Sequence, residues 1–230
     1  VRLRDAGLQR INISLDTLDP KRFQQLARRD QMHQTLAGIH AAIDAGFESI
    51  KLNTLAISGA VENEIIDLAR FALDRKLELR FIEFMPLDAA GNWKPGAVLD
   101  GEKILRILRT HFYPVQIADG HRGAAPAERY RVGDGHIGII RSVTRPFCDA
   151  CDRLRLSADG AIRNCLFSQD EMSIRDLLRA PATGPTPPPD RIDNAILDAF
   201  QHSVSVKRAG HRIGTDDFRA PERPMYSIGG

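Results

Sequence analysis

The sequence lacks the features that mark several common classes of protein. Its formal net charge is only +2, so it has no strongly basic footprint for nucleic acid. No run of about 18 apolar residues occurs, and a membrane-spanning helix of ordinary length would need one. The sequence shows no signal peptide, and its three cysteines suit a reducing compartment. We therefore expect a cytoplasmic protein with neither nucleic acid nor a membrane as its partner.

An initiating methionine is also missing. The chain begins V-R-L-R-D-A-G, which is typical of the last turns of a helix that a glycine ends. We therefore expect the chain to begin inside a structural element and to be a fragment of a longer protein.

What the sequence does contain starts with alternating strand and helix patterns. Residues 10–15, 48–57 and 77–85 predict strands, and the amphipathic segments between them predict helices. This order is typical of βα units with a parallel sheet. Three units cannot close a barrel. If residues 1–98 are part of an incomplete (β/α) TIM-like barrel, one strand edge is left exposed.

Polar side chains and one methionine stand within or just after these strands. They are Ser14, Lys51, Asn53, Arg80, Glu83 and Met85. Parallel α/β sheets and barrels bind ligands at the carboxyl ends of their strands. A sheet with one solvated face is the alternative, but helices are expected to cover the outer face. The pattern therefore favours a ligand site.

The second part of the chain, residues 99–230, predicts an α+β domain. A helix is expected at 101–112, and short strands at 115–117, 128–132 and 136–143 predict an antiparallel layer. A hairpin with the cysteines follows this layer. A proline-rich linker at 181–189 then leads to a last helix at 190–206.

All three cysteines lie in one segment, T-R-P-F-C-D-A-C-D-R-L-R-L-S-A-D-G-A-I-R-N-C-L-F, at residues 144–167. Cys148 and Cys151 form a C-x-x-C pair, a spacing that recurs in zinc and iron–sulfur sites. Asp-Gly between two strand-like runs predicts a hairpin turn. Folding that hairpin brings Cys165 back roughly opposite residues 152–154.

Several interpretations of the three thiols remain open. They could be buried structural thiols, or a disulfide and one free thiol. A structural zinc would need a fourth ligand, which His136, His202 or His211 could supply. Otherwise three thiolates hold an iron–sulfur cluster and leave one iron open. A zinc-ribbon-type module that binds nucleic acid or protein is the competing class of function.

Arg153 and Arg155 stand directly behind the C-x-x-C pair. Side chains alternate along a strand, so the two arginines are expected to share one face. Two neighbouring guanidiniums can grip phosphate or carboxylate bidentately. A solvated face is the alternative for the arginine pair taken alone.

Taken together and in order, the motifs resemble one family along essentially the whole chain. They are A-G-L at residues 6–8, R-I-N-I-S-L-D at 10–16, I-K-L-N at 50–53, L-R-F-I-E-F-M at 79–85, the cysteine segment, C-L-F at 165–167 and the terminal Gly-Gly. The chain is similar to the GTP 3′,8-cyclases (molybdenum cofactor biosynthesis protein A). These are lyases of the radical S-adenosylmethionine (SAM) superfamily that begin molybdenum cofactor biosynthesis.

The resemblance implies a fold, two cofactors and a reaction. Family members place two [4Fe-4S] clusters in an incomplete barrel covered by a C-terminal domain. The N-terminal cluster cleaves SAM to the 5′-deoxyadenosyl radical, which takes hydrogen from C3′ of GTP. That carbon then bonds to C8 of guanine, giving 3′,8-cyclo-7,8-dihydro-GTP. The C-terminal cluster has three cysteine ligands, and its open iron binds GTP.

The resemblance also implies roles for individual residues. The ligands of the C-terminal cluster would be Cys148, Cys151 and Cys165. The residues that contact GTP would be Lys51, Arg153, Leu154 and Arg155, with Arg80 as a weaker candidate. Ser14 and Met85 would contact SAM, and the Gly229-Gly230 tail would reach into the active site.

The sequence departs from the family in one large respect. It contains no C-x-x-x-C-x-x-C, the motif that holds the first cluster, and about the first third of the family's length is absent. We therefore expect that this polypeptide alone cannot generate the radical. Another radical SAM enzyme with an auxiliary cluster is a further alternative, and the sequence leaves open whether the chain forms a homodimer.

Overall fold

In a computed structural model, the polypeptide forms two compact units. The structure describes residues 2–87, 91, 93–118, 123–179, 189–208 and 210–228. The first unit, here the sheet unit, comprises Val1–Met85 and Lys94–Pro146. The second, here the cysteine unit, comprises Pro86–Trp93 and Phe147–Gly230.

The sheet unit alternates strands and helices as the sequence predicts. Its elements are α1 (Arg2–Asp5), β1 (Arg10–Ser14), α2 (Pro20–Ala27), α3 (Met32–Asp44), β2 (Ser49–Ala56), α4 (Ile65–Leu73), β3 (Glu78–Glu83), α5 (Gly101–Arg109), β4 (Val115–Ile117), β5 (Glu128–Val132) and β6 (Gly135–Ile140). Local chemistry sets the helix starts. Asp19 accepts a hydrogen bond from the Arg22 N–H at 2.7 Å, and Pro20 follows as the first residue of α2.

Six strands form one sheet in the order β1-β2-β3-β6-β5-β4. β1, β2, β3 and β6 run parallel, whereas β4, β5 and β6 pair antiparallel. The predicted antiparallel layer is therefore present, but it continues the parallel sheet. The last four residues of β6 (137–140) are buried, as expected of a strand inside a sheet. This mixed α/β arrangement is consistent with part of a TIM-like barrel.

One face of the parallel strands carries the hydrophobic core. Leu52, Leu79 and Phe81 are fully buried there. Residues of α3, α4 and α5 join the same cluster, including Ile39 and Leu68. Because strand side chains alternate, the opposite face carries the intervening residues, and these are half-buried or exposed. The helices thus fix the strands from one side and leave the other side for polar groups.

The cysteine unit has shorter elements. They are a 3₁₀-helix (Cys148–Ala150), β7 (Arg155–Leu156), β8 (Ala161–Arg163), β9 (Met172–Ser173), α6 (Ile174–Leu178), α7 (Pro189–Ser205) and a second 3₁₀-helix (Met225–Ser227). β7, β8 and β9 form an antiparallel sheet in that order. The predicted turn joins β7 to β8, where Gly160 has a φ of 82°, which suits glycine. The predicted linker at 181–189 lies almost wholly outside the described residues.

The compact units do not divide at residue 98, where the sequence suggested a boundary. Residues 94–146 belong with the sheet unit because β6 pairs with β3. The functional domains 1–98 and 99–230 remain a prediction. None of the helices in the described ranges is long and apolar enough to cross a membrane.

Candidate functional site

Most of the predicted ligand residues of the sheet unit share one face of the parallel sheet. The strand register places Ser14, Asn53 and Arg80 in one row across β1, β2 and β3. Lys51 lies two residues before Asn53 and therefore faces the same way. Ser14 is exposed, and the other three are half-buried. The sheet thus presents a continuous polar surface opposite its core.

Positive charge dominates this polar face. The Glu78 carboxylate accepts a hydrogen bond from Arg80 Nε at 2.6 Å, and its other oxygen lies 3.3 Å from Arg129 Nε. Burial, followed by the charge of Arg80, lowers the pKa of Lys51. Cations held this close together repel one another, and a bound anion would relieve that repulsion.

Two neighbouring groups mark the same surface. Asn53 Oδ1 is buried and has no hydrogen-bond partner within the described parts of the chain. Gly138 of β6 lies beside Arg80 in the register. A Cβ at Gly138 would approach Arg80 Cγ to 3.0 Å, so the glycine leaves room for the arginine stem. The face therefore holds an unused acceptor beside its cations.

Glu83 and Met85 occupy different positions. Glu83 is fully buried, and its carboxylate accepts from the backbone N–H of Gly101, Val143 and Thr144 at 2.7–3.1 Å. The interpretation of Glu83 as a ligand-site residue is therefore wrong, since its oxygens tie the end of β3 to α5 and to the segment after β6. Met85 lies two residues beyond β3 and is half-buried.

The three cysteines lie on the knuckle and the returning strand that the sequence predicts. The Cys151 N–H donates to the Cys148 carbonyl at 3.1 Å and closes the knuckle. Arg155 pairs with Arg163, and continuing that register by two residues brings position 165 opposite position 153. All three thiols are half-buried and free, so the disulfide interpretation is not supported.

The sulfur atoms have different surroundings. Burial, followed by the nearby Cys165, raises the pKa of the Cys148 thiol, and a hydrogen bond from the His211 backbone opposes that shift. Burial would also raise the pKa of Cys151. There, however, hydrogen bonds from the Arg153 N–H and the Lys207 ammonium outweigh burial, and the pKa is lowered. The Cys151 thiol therefore has a lower pKa than the Cys148 thiol.

The two predicted guanidiniums stand beside the thiols. Arg153 lies over the Phe147 ring, 4.8 Å from its centroid. Burial, followed by the charge of Arg153, lowers the pKa of Arg155, while Cys165 and Cys151 act in the opposite direction. The arginines and the thiols are thus within electrostatic reach of one another. Leu154 lies between the arginines in the chain and is half-buried.

The described residues do not form a site for a single metal ion. Within the ranges that the structure describes, no group of three or more His, Cys, Asp or Glu side chains is placed to hold a metal ion. Of the histidines considered as a fourth ligand, His211 uses its Nδ1 to accept from the Ile213 N–H at 3.0 Å. His202 is exposed on α7, and His136 belongs to the sheet unit. The geometry gives no support to a zinc site.

A small cavity of about 180 Å³ opens beside Cys165. Its lining includes Phe167 and His211, whose rings pack with their centroids 5.3 Å apart. Arg208, Arg212 and Arg219 also line it.

The predicted tail residues Gly229 and Gly230 lie outside the described residues.

Sequence reasoning missed Lys207. Its ammonium lies 3.4 Å from Cys151 Sγ and donates to the Arg153 carbonyl at 2.6 Å. The residue stands more than 50 positions from the knuckle, and no motif or spacing marks it. Only the packing of α7 against the hairpin reveals the contact.

The two regions define an α/β protein with a cationic sheet face and a thiol-rich, cationic hairpin. The model of the family described as Molybdenum Cofactor Synthesis C matches residues 77–213, and the Radical SAM superfamily model matches residues 2–72. The first match covers more than half of the chain. The chain belongs to the Molybdenum Cofactor Synthesis C family.

Curated relatives agree with this assignment. A GTP 3′,8-cyclase of Rhodopirellula baltica is 49% identical over 99% of this chain and 62% of its own length. Proteins of the same name from Corynebacterium glutamicum and Streptomyces coelicolor are each 43% identical over 99% of this chain. The chain spans 60% and 65% of their respective lengths. The resemblance predicted from the motifs is thus confirmed.

Proposed function

We propose that this chain serves the reaction of the GTP 3′,8-cyclases, converting GTP to 3′,8-cyclo-7,8-dihydro-GTP in molybdenum cofactor biosynthesis. The observation that carries the proposal is the cysteine hairpin with its three free thiols. Arg155 lies within electrostatic reach of Arg153, Cys151 and Cys165, and Cys148 lies within reach of the same two thiols. Thiols suit an iron–sulfur cluster, and guanidiniums suit a triphosphate. The names of the curated relatives support this pairing. The cytoplasm is the proposed compartment, because free thiols persist there.

The donor chemistry of the hairpin fits a [4Fe-4S] cluster better than a single ion. A zinc ion needs four donors that converge on one atom, whereas in a cluster each thiolate binds its own iron. Thiols around a cluster therefore stand farther apart than thiols around one ion. Cys148, Cys151 and Cys165 would hold such a cluster, and its fourth iron would be open to a substrate donor atom.

In the cysteine unit, the arginines bind the nucleotide. Arg153 and Arg155 donate to phosphate oxygens, and the negative charge of the triphosphate offsets their mutual repulsion. Leu154 packs against the nucleotide between them. This contact set distinguishes GTP from guanosine by its phosphates.

In the sheet unit, the polar face binds the charged parts of the ligands. Lys51 contacts GTP, with Arg80 on the same cationic face of the sheet, and Ser14 and Met85 contact SAM. The Radical SAM match covers β1, β2 and part of α4, which supports SAM as the second ligand. The first cluster has no ligand motif in these 230 residues, so we expect no SAM cleavage by this polypeptide alone.

Nucleotide binding tests the proposal. With the chain reconstituted anaerobically with iron and sulfide, isothermal titration calorimetry is expected to show GTP binding. Arg153→Ala and Arg155→Ala should each weaken it by at least about 10-fold, the size usual for a lost charge-assisted contact. Arg175→Ala, which changes a half-exposed arginine of α6, is the matched control and should bind GTP normally.

Two results would contradict the proposal. The first is equal affinity for GTP and ATP, since the open iron and its surroundings are expected to select guanine. The second is unchanged GTP affinity in both arginine variants. Guanosine lacks the phosphates, so it should bind the unaltered chain more weakly than GTP does. The two variants should bind guanosine about as tightly as the unaltered chain does.

A further inference from the structure

Lys207 holds an unusual position between a thiol and the arginine segment. One ammonium group contacts both Cys151 Sγ, at 3.4 Å, and the Arg153 carbonyl oxygen, at 2.6 Å. An ammonium has three N–H donors and can serve both acceptors at once. Among the described residues, no carboxylate pairs with Lys207. Its positive charge is therefore directed at the sulfur and the carbonyl.

The end of α7 fixes the position of this lysine. Ala199 of α7 is buried against Ile162 and Ile174. Asn164 Nδ2, on the hairpin, donates to the Ser203 carbonyl of α7 at 2.9 Å. The Lys207 N–H donates to the Val204 carbonyl at 3.1 Å and extends the helix end. The lysine thus approaches the knuckle from a packed support.

We propose that Lys207 is a positioning residue for the cluster site. The lysine donates a hydrogen bond to the Cys151 sulfur and holds the Arg153 backbone in place. This inference rests on the proposed function, because it assigns Cys151 as a cluster ligand. Hydrogen bonds to ligand sulfurs stabilise the more negative, reduced cluster and so raise its reduction potential. Partners of this kind also contribute to retention of the metal.

The double contact links two parts of the site. The sulfur belongs to the metal side, and the Arg153 carbonyl belongs to the segment that carries the nucleotide-binding guanidiniums. Loss of the ammonium is therefore expected to affect the cluster and the arginine segment together. A lysine that merely filled space would affect neither the potential of the cluster nor its retention.

Lys207→Met tests the inference, because it removes the charge and the donors while keeping a long apolar side chain. In the 230-residue chain reconstituted with iron and sulfide, a chelator should remove iron about 10-fold faster from this variant. Its cluster should also reduce at a more negative potential, measured by anaerobic titration with EPR detection. Lys207→Arg keeps a cationic donor and should restore both properties most of the way.

Lys21→Met is the matched control, since Lys21 is exposed on α2 in the sheet unit. It should leave iron release and potential unchanged. Circular dichroism of the cluster-free variants checks that each one folds. If Lys207→Met released iron at the same rate as the unaltered chain and its cluster had the same reduction potential, the role proposed for Lys207 would be contradicted. The assignment of the cluster ligands would not be affected. If the unaltered chain took up no cluster, both would be wrong.

Discussion

The sheet unit and the cysteine unit hold their candidate residues in different ways. In the sheet unit, Lys51 and Arg80 stand on strands whose other face is fully packed by a large apolar cluster. In the cysteine unit, the described apolar cluster is built on only Ile162, Ile174 and Ala199. Its cysteines and arginines stand on short elements joined by hydrogen bonds and ion pairs.

The difference suggests how each unit responds to its ligand. A face on a packed sheet is formed before the ligand arrives. A small unit with few buried apolar residues gains much of its stability from a bound metal, as small metal-binding domains usually do. Apolar packing should therefore dominate the stability of the sheet unit, and polar contacts that of the cysteine unit.

The largest expected effect lies in the apolar core of the sheet unit. Phe81 lies on β3, between β2 and β6, and its side chain is fully buried in the core, so Phe81→Ala should cost about 4 kcal/mol of unfolding free energy. Urea unfolding followed by circular dichroism measures the loss. Ile117→Ala, at a residue of β4 that is 76% exposed, is the control and should cost far less. Equal losses of unfolding free energy at the two positions would show that the apolar core does not dominate the stability of the sheet unit.

A smaller effect is expected from a polar contact in the cysteine unit. The Arg163 side chain is only 3% exposed; it forms an ion pair with Glu171 and donates a hydrogen bond to the Ser168 carbonyl. Glu171→Gln leaves a buried guanidinium poorly paired, which should cost roughly 3 kcal/mol. Hydrogen exchange of the β8 amides in the cluster-free chain reports that loss.

Asp176→Asn is the control for that ion pair. Asp176 is 70% exposed and pairs with its neighbour Arg175, so the change should cost well under about 1 kcal/mol. Exchange rates in β8 that Glu171→Gln did not accelerate would mean that the cysteine unit does not depend on the pair.

The smallest expected effect is a gain in stability. Burial raises the pKa of Asp16, although a hydrogen bond from the Leu55 N–H opposes the shift. A carboxyl with a raised pKa stabilises the fold when protonated, and that stabilisation is lost as the pH rises through the folded-state pKa. Asp16→Asn keeps an acceptor for Leu55 and removes the charge. At pH 7 it should stabilise the sheet unit by about 1 kcal/mol or less.

The gain from Asp16→Asn should shrink as the pH falls below the ordinary pKa of an aspartic acid. The Asp16 carboxyl is then protonated, so the side chain at position 16 is neutral in the unaltered chain and in the variant. Urea midpoints at pH 7 and at about pH 3.5 make the comparison. A gain of the same size at both values would contradict the role of the buried charge.

Much of the fold could be predicted from the sequence because local chemistry specifies it. Asp19 with Pro20 marks the start of α2, and alternation within β1, β2 and β3 separates the polar face from the core. The hairpin register followed from the turn at Gly160. These features depend on residues that are close together in the sequence.

The remaining features depend on contacts between distant residues. The pairing of β6 with β3 joins segments about 60 positions apart, so residues 128–143 seemed to form a separate layer. Glu83 looked like a ligand residue because its strand position cannot reveal that backbone donors from 101, 143 and 144 surround it. Lys207 carries no signal until α7 packs against the hairpin.

Metal and sulfide analysis of the anaerobically reconstituted chain tests the central claim most directly. We predict about four iron and four acid-labile sulfide per chain, bound through Cys148, Cys151 and Cys165. Replacing any of these cysteines with alanine should abolish most of the uptake. One zinc per chain with no sulfide would contradict the account and favour the zinc-ribbon alternative.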